Sequence, residues 1–214
     1  MYKGRKFSRQ SAMFKISICE HFAKYKWFYL ILGSVCLAGL IIGFFVGFNR
    51  AENLKLDDLP DSVLLSYINK EIANTSVFFS RVFSFLGILI LVWVTNCKPF
   101  LCFITFITIL YRAFLIGINC SILIILYQVG GVINVVLIFL PVHLIVLFAL
   151  LVWSSICLYS NFANKNLGYN ILSVDFIRCK KTTFLIVVII AVCAYALETI
   201  LLPYLTSAVF IGVN

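Results

Sequence analysis

Arg112 and Glu198 are the residues of this sequence best placed to do chemistry, because each stands in a long apolar stretch where an isolated charge is costly. Arg112 lies twelve residues beyond Phe100, about 18 Å at helical rise, and Glu198 lies fifteen beyond Thr183, about 22 Å. These depths differ by less than one turn, and Glu198 is the only acid in any apolar stretch. A structural ion pair between them is the expected arrangement, and a substrate or ion path through the same residues is the alternative. Arg81 is a rival partner for Glu198. His143 follows Pro141 by two residues; the proline leaves a carbonyl without its usual donor, and the imidazole can fill that polar gap. Asn119 reads as an interhelical hydrogen-bonding group.

No catalytic constellation accompanies these groups. The sequence has no nucleophile elbow, no HExxH and no phosphate-cradling loop, so no catalytic residue and no cofactor are assigned. Its eight cysteines include no CxxC pair, and they read as small, reduced apolar residues without a metal site. Gly39, Gly43 and Gly47 form a double small-xxx-small run, which lets another backbone come close. That face serves either packing within the chain or assembly with a partner or a second copy.

The elements that must position these residues are membrane helices. The chain has 214 residues, 63% hydrophobic and 12% charged, with a mean hydropathy of +1.10. A soluble domain carries about 25% charged residues. The shortage fits a chain whose solvent is mostly lipid, an all-α polytopic bundle of about five transmembrane helices. The apolar spans are residues 27–48, 77–95, 100–127, 132–159 and 183–205. Residues 1–26 form a basic tail, with an interfacial helix suggested by Phe14, Ile18 and Phe22 at four-residue spacing. The bundle, residues 27–205, includes an outer loop at 49–76 and a cytoplasmic loop at 160–182, and residues 206–214 form a short outer tail.

Charge placement sets the orientation. The basic tail, Lys98 and the 160–182 loop hold most of the lysines and arginines that underlie the net charge of +9. The 49–76 loop is instead rich in Asp and Glu. The positive-inside pattern therefore places the N-terminus in the cytoplasm and the C-terminus outside. The tail lacks a long arginine run, so a nucleic-acid partner is not indicated; lipids and membrane proteins are.

Four stretches, in this order, carry a family likeness: Ala38-Gly39-Leu40-Ile41-Ile42-Gly43-Phe44-Phe45-Val46-Gly47, then Arg112-Ala113-Phe114-Leu115-Ile116-Gly117, then Leu140-Pro141-Val142-His143, then Leu197-Glu198-Thr199-Ile200-Leu201-Leu202-Pro203. With the polar outer loop, the chain resembles the stage II sporulation protein M family of bacterial membrane proteins over nearly its whole length. The resemblance implies a non-enzymatic scaffold or anchor in the bacterial cytoplasmic membrane. It would work with the sporulation proteins D and P, which degrade peptidoglycan during forespore engulfment. It supplies no catalytic residues. A transport component, permease subunit or channel, with Arg112, Asn119, His143 and Glu198 along a path, is the alternative function.

The topology is open to a direct test. Cysteines introduced at Leu54 and Leu167 in a cysteine-free background are expected to react with a membrane-impermeant label from opposite sides. Reaction of both from one side would overturn the assignment.

Overall fold

A computed structural model describes residues 3–51, 75–96, 98–164 and 174–210. Much of the 49–76 loop, residues 165–173 and the last four residues lie outside that set. The structure is all-helical: α1 (Lys3–Ala51), α2 (Thr75–Thr95), a 3-10 turn (Pro99–Leu101), α3 (Phe103–Asn134), a π-helical turn (Val135–Phe139), α4 (Leu140–Asn164) and α5 (Val174–Phe210). Among the described residues, five segments are long and apolar enough to cross a membrane: Ala23–Asn49, Phe78–Thr95, Phe103–Ile125, Val129–Phe162 and Lys180–Thr199. A span needs about 20 residues at helical rise. The chain is thus a multi-pass membrane protein.

Several boundaries differ from those expected. α1 runs unbroken from Lys3 into the first span, instead of forming a separate interfacial helix. No proline or internal glycine separates residues 14–26 from the span, so nothing stops the helical hydrogen bonds. α4 and α5 each extend into the expected 160–182 loop, and α5 reaches Phe210 within the expected tail.

α1 makes its most extensive contact with α3. The reason is a pair of matching small-residue rows. Gly39 meets Leu110 and Ala113, Gly43 meets Phe114, and Gly47 meets Ile118 and Ser121, while Gly117 faces Leu40, Gly43 and Phe44. Gly39, Gly43 and Gly47 on α1 therefore run parallel to Ala113, Gly117 and Ser121 on α3, both in four-residue steps. A Cβ on Gly39 would lie 2.7 Å from the Leu110 carbonyl oxygen, so the backbones are closer than side chains permit. The glycine face is covered inside the chain.

α2 and α5 pack antiparallel: Phe85 meets Tyr195 edge-on with ring centroids 6.4 Å apart. Trp153 of α4 donates its Nε1 hydrogen to the Leu89 carbonyl of α2 at 3.1 Å. The α2–α3 connection is tied by Asn96, whose side-chain amide donates to Thr105 Oγ1 and to the Val92 carbonyl, each at 2.7 Å. The chain doubles back within the last turns of α3, near the Gly130-Gly131 pair. Gly131 comes against the backbone of Leu123 and Ile124, whereas residues 123 and 131 in a straight helix would stand about 12 Å apart. α1 also reaches α4, where Tyr25 packs edge-on to Tyr159 at 4.9 Å and the Lys24 ammonium sits 5.0 Å from the Tyr159 ring centre. Lys24, Lys26, Lys98, Lys180 and Lys181 accordingly gather at one end of the bundle.

The seam yields a paired prediction. Gly43→Ala is expected to destabilise the detergent-solubilised protein by about 1–3 kcal/mol, because Phe114 backbone atoms lie 2.9 Å from the added methyl. Gly33→Ala meets nothing within 4 Å and should be neutral or slightly stabilising, since alanine favours a helix. Equal melting shifts for the two variants would count against a seam.

Candidate functional site

The polar groups that sequence singles out collect on four helices. Arg81 projects from α2, Arg112 and Asn119 from α3, His143 from α4 and Glu198 from α5. Arg81, Asn119 and Glu198 are buried, and Arg112 and His143 are half-buried.

Glu198 pairs with Arg81, not with Arg112. The Arg81 Nη1 to Glu198 Oε2 distance is 2.9 Å, and the Glu198 side chain is fully buried. The expected Arg112 pairing is not the one the structure makes: Arg112 instead lines a cavity with Phe85 and Tyr195, each one turn along its helix from Arg81 and Glu198. Arg81 and Glu198 stand near the same end of the antiparallel α2–α5 pair. The α2–α5 register does the rest: Arg81 and Phe85, one turn apart, meet Glu198 and Tyr195, also one turn apart.

Arg112 has different company. With His143 and Tyr195 it lines a cavity of about 20 Å³, walled otherwise by apolar side chains including Phe85 and Leu147. Such a volume holds about one water molecule. Tyr195, three residues before Glu198 on α5, brings the cavity next to the ion pair. α3 is continuous through Arg112. His143 stacks on Phe139, ring centroids 4.0 Å apart, one turn back across the π-helical turn. That wide turn sits directly before Leu140-Pro141, where the missing proline N–H and its ring disturb the helical ladder.

No family model, no curated protein and no solved structure matches the chain. The site is therefore read from its own chemistry.

Tyr195 and the Ala113, Gly117, Ser121 row were not singled out as site residues from sequence. The signals were there: Tyr195 shares a face with Glu198 at i, i+3, and the row repeats every four residues. What the assembled site offers is an ion pair that joins α2 to α5, and beside it a polar pocket of one-water size against Arg112.

The pairing is measurable. Glu198→Gln and Arg81→Gln are each expected to cost about 3–5 kcal/mol, because each leaves a buried charge alone. The double variant should recover part of that loss. The coupling in an Arg112–Glu198 cycle should be smaller than in the Arg81–Glu198 cycle. Melting curves of the variants in one detergent decide it, and a larger Arg112 coupling would reverse the assignment.

Proposed function

We propose that this chain is a non-enzymatic scaffold or anchor of the bacterial cytoplasmic membrane. It gathers peptidoglycan-degrading partners in the manner of the stage II sporulation protein M family that it resembles. The lysine-rich end faces the cytoplasm, following the positive-inside pattern. The observation that carries the reading is the buried Arg81–Glu198 pair. The one intramembrane acid is engaged in joining two helices of the same chain, which is an architectural use of charge. The glycine seam is likewise internal, so partners would meet other surfaces: the acidic 49–76 segment or the lipid-facing helix sides.

Transport remains the second reading, and the cavity beside Arg112, His143 and Tyr195 is its support. A volume of about 20 Å³ fits a single buried water better than a path for a solute.

Copurification from native membranes in mild detergent distinguishes the two. Recovery of peptidoglycan-degrading proteins of the D and P type is the expected result. A partner-free protein that supports a flux in proteoliposomes, lost on Arg112→Gln, would establish transport instead.

A further inference from the structure

A groove of about 310 Å³ runs between α4 and α5 on the outside of the bundle. Leu144, Phe148 and Val152 form one wall, and Thr183, Ile186 and Ile190 form the other. From Thr183 to Ile190 is seven residues, about 10 Å along the axis, which falls within one leaflet of a hydrocarbon core about 30 Å thick. The groove's Thr183 end points toward the lysine-rich end of the bundle. Lys180 lies one turn beyond Thr183, next to the face that lines the groove, and it is half-buried; Lys181 beside it is exposed. An apolar channel one leaflet deep, with cationic side chains at its mouth, matches a molecule with an acyl chain below and an anionic headgroup above.

We propose that this groove is a binding site for an anionic phospholipid of the leaflet at the lysine-rich end. One acyl chain lies between α4 and α5, and the headgroup phosphate is held by Lys180, with Lys181 adding to the local field. Charge complementarity selects lipid over a second protein helix: a neutral apolar helix would gain nothing from Lys180 at the mouth. The site stands apart from the scaffold reading and does not depend on it.

The test uses the full chain in nanodiscs containing equal phosphatidylglycerol and phosphatidylcholine, with lipids retained after mild delipidation counted by native mass spectrometry. The unmodified protein should retain phosphatidylglycerol preferentially. Each lysine near the surface is worth about fivefold, so Lys180→Gln should reduce that preference about fivefold. Ala149→Phe fills the groove floor and should lower retention of both lipids. Ile190→Trp, at a position 40% exposed, does the same without touching the core, should Ala149→Phe fail to fold. Equal retention of both headgroups by the unmodified protein overturns the proposal. An undiminished preference in Lys180→Gln overturns it as well. So does a dimer cross-linked through cysteines at Phe148 and Ile186 in place of lipid.

Discussion

In lipid, apolar burial between helices gains little, because the acyl chains are as apolar as the side chains they replace. What can hold a membrane bundle together is close backbone approach, and here that is the parallel seam of α1 and α3. Gly39, Gly43 and Gly47 lie against Ala113, Gly117 and Ser121 along about two turns. At such separations, Cα hydrogens of one helix can reach carbonyl oxygens of the other, as where Gly117 faces the Leu40 carbonyl. The contact is steric and cumulative, so it fixes both the separation and the register of the two helices. Everything α3 carries, Arg112 and Asn119 included, is positioned relative to that seam.

The second fixed point is electrostatic. A fully buried carboxylate is expensive to desolvate, and its partner offsets that cost only in good geometry. Arg81 supplies it at 2.9 Å. The value of such a pair is more in specifying a register than in net stability. A slip of α2 past α5 by one turn would part Arg81 from Glu198 and Phe85 from Tyr195 together. The hydrogen bond from Trp153 to Leu89 then binds α4 to the same α2 helix. Three helices, α2, α4 and α5, are thereby tied by directional contacts, and α1 and α3 by shape.

The spans were legible because a helix in lipid must be long and apolar, and no other local arrangement satisfies its backbone. All five expected spans coincide with helices, to within a few residues at most ends. The polar residues were legible as a set for the same reason: Arg81, Arg112, Asn119, His143 and Glu198 stand out from apolar surroundings. Their pairing was not. Residue counting can set two side chains at similar depth but does not say which helices lie side by side, and the α2–α5 register that brings Arg81 to Glu198 is set by packing. The partner of the glycine face was hidden differently. Ala113, Gly117 and Ser121 are each unremarkable, and only a second row in the same four-residue step reveals them as a pair of rows. The helical run of α1 back to Lys3 was missed because basic composition reads as a tail, although nothing in residues 5–26 breaks a helix.

Two principles of assembly therefore meet on one element. α1 carries no charge between Trp27 and Asn49; its contribution is the glycine row. α2 and α5 bring the ion pair. α3 has both: its Ala113 faces α1, while the adjacent Arg112 faces the cavity beside His143 and Tyr195. Neighbouring residues on a helix point about 100° apart, so one turn can serve two surfaces. Arg112 is adjacent to Ala113 of the small-residue row, so its backbone is held where the seam holds α3. That linkage explains how a cation keeps a place in the membrane interior without Glu198. The seam holds α3 where Arg112 reaches a pocket large enough for one water, lined also by His143 and Tyr195. A cation held this way is fixed by the packing of α3, and its role is tied to the architecture of the bundle before it is tied to any passing solute.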